Sequence, residues 1–159
     1  MSTLLIKQRV FSWTDSYNVY DEGAEPKYFV KADLFSIGKR IRIMDRSSGE
    51  EVGMIHQRIL TMFKTYEIYL YGQYQGVIKR RLSFFTPNYD IDYRNWTLRG
   101  DYFHWDFDIF EGSLRIANIS KKLLSFGDTY VLQTARDEDE LPALLMAIAM
   151  DAAHWSDDN

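Results

Sequence analysis

The chain has 159 residues, 46% of them hydrophobic and 16% aromatic, with 3 Pro and 9 Gly. At roughly 150 residues per domain that makes one domain over 1–159, too apolar for disorder and too poor in Pro and Gly for a long linker. The absence of Cys excludes disulfides, thiolate metal sites and a cysteine nucleophile, and a net charge of −4 disfavours a broad nucleic-acid surface.

The chain opens on Leu4-Leu5-Ile6, an apolar stretch too short for a signal-peptide core. It then enters the first of four related segments, which align without gaps on Ile6, Ile55, Ile78 and Ile119. Three residues past each Ile stands a base: Arg9, Arg58, Arg81 and Lys122. Four past stands an aliphatic residue (Val10, Ile59, Leu82, Leu123), and seven past a large apolar one (Trp13, Met62, Phe85, Phe126). A small polar residue at ten is followed by Tyr at eleven (Tyr17, Tyr66, Tyr89, Tyr130) and an aliphatic at thirteen (Val19, Ile68, Ile91, Leu132). Each segment has β-branched and aromatic flanks around a middle rich in Ser, Thr, Asp, Asn and Gly, which predicts a hairpin.

Between the units the chain stays β-like. Tyr28 to Asp33 and Arg40 to Asp45 alternate, with Ile41 and Ile43 on one side and Arg40 and Arg42 on the other, before a turn at Ser48-Gly49. After the second unit a short join at 71–76 leads into the third. Trp96 to Asp101 then echoes the earlier strand, and Trp105, Phe107 and Ile109 oppose Asp106 and Asp108. The count is twelve strands, in halves 5–70 and 76–133.

A helix is predicted over about 138–153, followed by a tail at 154–159. Asp137 to Glu140 supply negative charge at its start, and Pro142 is tolerated in a first turn. From Leu141 to Ala153 it is almost free of polar residues, as a helix buried on all sides would be. Its apolar run is too short for a bilayer, which needs about 20 residues. Twelve tilted strands close at a radius of roughly 12 Å, too wide for their own side chains to fill. The expected fold is therefore mainly β (α+β): a closed twelve-stranded barrel of two pseudo-repeated halves around a central helix, with Leu144, Leu145 and Ile148 in the core.

Several segments carry a family resemblance: YNVYDEGAEPKYFVKAD, DRSSGEEVGMIHQR, LRGDYFHWDFDIFEG, IANISKKLLSFGDTYVL and the acidic-to-apolar C-terminal helix. Their order and spacing, from about Leu5 to Ala153, resemble the LURP-one-related family. That family is similar in fold to the Tubby C-terminal domain and the phospholipid scramblases. The resemblance implies the same helix-filled barrel. It points toward phosphoinositide binding in the Tubby branch and toward defence in the plant branch.

The candidate anion-binding residues are Arg58, Lys79, Arg80, Arg81, Lys121 and Lys122, which can hold a phosphate through charge-assisted hydrogen bonds. The alternative is a solvated strand face on which each base pairs with an acid of the next strand. His56, His104 and His154 lack metal-ligand spacing, and His56 is expected to face solvent. Asp106 and Asp108 share a strand face, and Asp21, Glu22 and the 137–140 run read as turn and helix-start acids. Trp13, Trp96, Trp105 and the four slot tyrosines read as packing residues. No nucleophile elbow or phosphate loop is present, so no catalytic residue, metal or cofactor is expected.

The expected function is a non-catalytic binding or scaffold domain that takes an anionic lipid headgroup or phosphate ligand on a basic patch. Alternatives are a protein-interaction scaffold and a scramblase-like lipid-handling protein. The expected partners are an anionic phospholipid or membrane surface, or a protein, with no nucleic acid. The expected location is cytoplasmic, at the membrane periphery where lipid is engaged.

Overall fold

The computed structural model describes residues 1–7, 16–33, 37–81, 88–101, 104–124 and 127–155, the side chains of 154 and 155 excepted. Arg9, Val10, Trp13, Leu82, Phe85, Phe126, the side chain of His154 and the chain beyond 155 lie outside the described residues.

Twelve strands precede one helix. They are β1 (Ser2–Lys7), β2 (Tyr17–Asp21), β3 (Pro26–Asp33), β4 (Arg40–Asp45), β5 (Glu51–Gln57), β6 (Thr65–Leu70), β7 (Gln73–Arg81), β8 (Asn88–Asp92), β9 (Trp96–Asp101), β10 (Asp106–Glu111), β11 (Leu114–Leu124) and β12 (Gly127–Thr134). A short 3-10 turn at Asp137–Asp139 leads into α1 (Glu140–Trp155), which starts two residues later than the sequence suggested. The four repeated units are the hairpins β1–β2, β5–β6, β7–β8 and β11–β12.

The strands form a single antiparallel sheet in the order β8-β7-β6-β5-β4-β3-β2-β1-β12-β11-β10-β9. The sheet curls round, and the β1–β12 ladder joins the chain's start to its last strand. The barrel is nearly closed rather than closed. Between β8 and β9 the chain makes a two-residue turn with Arg94 and Asn95 at φ 50° and 72°, and the Trp96 amide donates to the Tyr93 carbonyl at 2.9 Å. That turn has the handedness that suits a hairpin, yet among the described residues no ladder continues from it. The seam is filled instead by the rings of Tyr93 and Trp96, edge to face at 4.8 Å and both buried.

Alternation decides what lines the wall. The four unit isoleucines, Ile6, Ile55, Ile78 and Ile119, all point inward and are buried, as are Ile41, Ile43, Phe107 and Ile109. Of the slot tyrosines, Tyr66 and Tyr130 are buried, while Tyr17 and Tyr89 pack at the edge of the core. Inside this wall α1 is buried on every side: Ala143, Leu144, Leu145, Met146 and Ala149 have no exposed surface, and Ile148 keeps 4%. Gly53 gives the helix room, since a Cβ there would stand 3.2 Å from both Leu145 methyls. At 1.5 Å per residue the helix runs roughly 24 Å, the height of the wall.

The up-and-down order sorts the connections. Those leaving odd-numbered strands lie at one end of the barrel, here the loop end. Those leaving even-numbered strands lie at the other, the turn end, where the helix enters. The Asp45 carboxylate closes one such turn by accepting the Ser47 and Ser48 amides at 2.8 and 2.9 Å, with Gly49 at φ 73°.

Candidate anion-binding rim

The site begins where strands end. β5 stops at Gln57 and the chain leaves the sheet, so Ile59 has no wall to pack against and is 54% exposed. Leu123, 81% exposed, is still paired with Asp128 in the β11–β12 ladder but lies past Ile119, the last buried position of β11, and Met62 in the β5–β6 loop is 89% exposed.

The β5–β6 loop is ordered by its own backbone and by the loop beside it. The Arg58 amide donates to Thr65 and the Gln57 amide donates to Lys39, both at 2.9 Å. The Thr61 and Thr65 hydroxyls both donate to the Phe63 carbonyl, at 2.7 and 2.9 Å. Gly38, at φ 77°, lets the β3–β4 loop come close, since a Cβ there would stand 2.5 Å from the Gln57 carbonyl. The Arg80 amide donates to Lys64 at 3.0 Å, which ties the loop to β7.

These ties gather cations on one arc of the loop end. Lys39, Arg40, Arg58, Lys64, Lys79 and Arg81 stand there against Asp33, Glu67 and Asp90, six positive groups less three negative. Partial burial first, and the Lys64 ammonium next, lower the Lys39 pKa. Arg58 donates to Glu67 at 2.6 Å, and Tyr69 donates to the same carboxylate at 2.5 Å. These hydrogen bonds hold Glu67 below the usual carboxylate range. His56 faces outward, with Nδ1 4.0 Å from Glu67.

The six sequence candidates separate into different roles. Arg80 points inward and donates to the Ala153 carbonyl at 2.9 Å, so it caps the helix C-terminus, where a cation is favoured. Arg81 pairs with Asp90 on β8, Lys121 with Asp128 on β12 at 2.8 Å, and Arg58 with Glu67 on β6. Lys79 stands opposite Asp90 in the β7–β8 ladder, and Lys122 is exposed on β11. Lys121 and Lys122 share the loop end with Lys79 and Arg81 but stand four strands away, roughly 20 Å along the wall. One headgroup cannot touch both clusters.

Among the carboxylates, Asp106 and Asp108 share the outer face of β10, and Asp108 accepts from Asn118 at 2.9 Å. His104 is exposed and bonded to Asp101 at 2.5 Å. Asp139 and Glu140 stand at the helix start, as the sequence reads, and both are buried at the turn end. Asp139 accepts from Arg136 at 2.6 Å and from Arg94 at 3.4 Å. Glu140 is met by Lys27 at 2.7 Å, Tyr28 at 2.7 Å and the Ser2 hydroxyl. Burial, followed by the bond to Glu140, pushes the Tyr28 phenol far up.

Lys39, Lys64, Ile37 and Leu60 carry no periodic signal and were missed by sequence reasoning. Their place follows from Gly38 and from the residue run Arg58–Lys64, which brackets apolar residues with bases. Among the described residues no cluster of His, Asp and Glu suits a metal ion, and no helix is long and apolar enough to cross a membrane.

Comparison with known proteins agrees with this architecture. A family model described as LURP-one-related matches residues 2–151. A Bacillus subtilis (strain 168) protein named as uncharacterised protein YxjI is 31% identical over 159 residues, covering 100% of this chain and 98% of that one. An X-ray structure of an Arabidopsis thaliana protein superposes with a TM-score of 0.65 at 14% identity, covering 95% of this chain and 90% of that one. At that identity the likeness is one of fold.

Proposed function

The chain belongs to the LURP-one-related family, and from that premise we propose that it is a non-catalytic domain that binds a phosphate-bearing anion, a lipid headgroup or a free phosphate, at the loop end of the barrel. The observation that carries this is the arc of cations at the loop end, six against three carboxylates among the described residues. Like charges gathered on one rim repel, and a dianionic phosphate among them offsets that cost while accepting charge-assisted hydrogen bonds. The protein acts at the cytoplasmic membrane surface when the phosphate belongs to a lipid.

A protein-interaction scaffold is favoured by a different observation: Tyr71 and Leu114, 71% and 59% exposed, lie at the turn end, away from the cationic arc. Scramblase-like handling of lipid would draw on a helix free to leave the barrel, whereas α1 is packed on all sides.

Calorimetric titration with an inositol polyphosphate, alongside sedimentation with anionic vesicles, tests the anion site. Binding that weakens with salt and is lost in Lys39→Glu/Lys64→Glu is expected. No binding of the wild-type protein to either probe would end it. Arg80 is unsuited to this test because its side chain caps α1.

A further inference from the structure

We propose that the paired loops 37–39 and 58–65 form an insertion knob that enters the interface of an anionic lipid bilayer, with Ile37, Ile59, Leu60 and Met62 below the headgroups and Lys39, Arg58 and Lys64 at the level of the phosphates. This rests on the anion-binding role above and assigns its source to a membrane rather than to a soluble phosphate.

Four large apolar side chains stand in water on one knob: Leu60 is 100% exposed, Met62 89%, Ile37 80% and Ile59 54%. They belong together, because a carbon placed on Gly38 would stand 3.5 Å from Ile59, and the His56 ring meets the Ile37 carbonyl at 3.4 Å. The backbone bonds that join Gln57 to Lys39 and Arg58 to Thr65 hold the loops open, so these side chains are presented and do not fold back on the wall. Soluble surfaces seldom expose such a cluster without an apolar partner.

The order of the residues selects the partner. In Arg58-Ile59-Leu60-Thr61-Met62-Phe63-Lys64 the bases stand at the foot of the loop and the apolar side chains at its tip. Lys39 stands at the foot of the neighbouring loop. A tip that is apolar, with a collar of cations behind it, matches the layering of a bilayer, where acyl chains lie beneath anionic headgroups. A protein partner needs no such layering, and the tips project from the barrel end rather than line a groove.

The test exploits a chain that has no cysteine. A single Leu60→Cys variant carries an environment-sensitive fluorophore only at the tip, and Glu22→Cys reports from the turn end. Mixed with vesicles of phosphatidylcholine and phosphatidylserine in equal parts, the label at 60 is expected to shift to the blue while that at 22 does not. Pure phosphatidylcholine is expected to give a weaker shift. Unlabelled Leu60→Glu/Met62→Glu is expected to keep the wild-type melting temperature and to lose vesicle affinity by about tenfold per side chain.

A label at 60 that stays in water while the protein sediments with the vesicles overturns insertion. So does a double variant that binds vesicles like wild type. If an inositol polyphosphate still binds in either case, the anion site stands and only its membrane source falls. If it does not bind but the label shifts, the knob stands and the phosphate role falls.

Discussion

The two ends of the barrel solve opposite problems. At the turn end the charges are inside: Asp139 has no exposed surface, the Glu140 side chain keeps 6%, and both are met by cations. At the loop end, Arg80 on the helix C-terminus apart, the cationic arc lies on the outside and apolar side chains stand in water. A buried acid with its partners in place fixes how the helix enters the wall. A leucine in water contributes little to folding, so the exposed tip of the loop end is explained less by stability than the turn end is.

If the helix holds the barrel together, disrupting it has the largest effect of any single change. Ile148→Asp puts an unpaired carboxylate among apolar side chains, which costs on the order of 4 kcal/mol or more. Circular dichroism is expected to show a chain that is unfolded or melts far below wild type. A variant melting like wild type would mean that α1 is not enclosed.

Next in size is the turn-end network. Glu140→Ala leaves the buried Tyr28 hydroxyl and the Lys27 ammonium without their acceptor. Removing half of a buried pair costs about 3–5 kcal/mol, and the lower figure applies because Lys27 is 41% exposed and reaches water. Urea unfolding of Glu140→Ala, Lys27→Ala and the double variant is expected to give a clear coupling between the two sites. Additive losses would show that the pair contributes no interaction of its own.

Acid weakens both ends, by a smaller amount. Ser47 and Ser48 hold Asp45 below its ordinary 3.8, and Tyr69 and Arg58 hold Glu67 below its ordinary 4.5. A carboxylate whose folded pKa is depressed contributes stability above its unfolded pKa and loses it as pH falls through the folded one. Urea midpoints are therefore expected to be flat from neutral pH down to 4.5 and to fall below it. In Arg58→Gln the loop-end part of that fall shrinks while the Asp45 part stays. A fall that begins well above 4.5 would point to other groups.

Much of the wall was legible in the sequence because the period of a strand is local. Each unit isoleucine and each alternating pair such as Ile41 and Ile43 announces which face is inward. The buried helix was equally plain, since Leu144, Leu145 and Ile148 have no polar face beside them. What stayed hidden depends on distance along the chain: Ser2 meets Glu140 across 138 residues, and Lys27 meets it across 113. No local pattern records such pairs. The repeat does not say how far the wall reaches: Ile59, Met62 and Leu123 occupy apolar slots yet are exposed, past the last buried position of their strands. The basic slot told less than its regularity suggested. Arg81 and Arg58 are answered by acids across their own hairpins, and Lys39 and Lys64 are placed by loop backbone bonds to Gln57 and Arg80.

The smallest expected change in stability separates the two ends most sharply. Leu60 sits at φ 57° with its side chain fully exposed. A left-handed conformation costs a non-glycine residue roughly 1–2 kcal/mol, and an exposed side chain returns nothing for it. Leu60→Gly removes that strain and gives back part of the gain, roughly 0.5–1 kcal/mol, as extra freedom in the unfolded chain. The variant is therefore expected to be as stable as wild type or up to about 1 kcal/mol more stable, by urea unfolding, while binding anionic vesicles more weakly. A residue whose loss leaves the fold intact but lowers binding is held for the surface it meets. A Leu60→Gly protein that unfolds more readily would instead place Leu60 among the residues that keep the loop in shape.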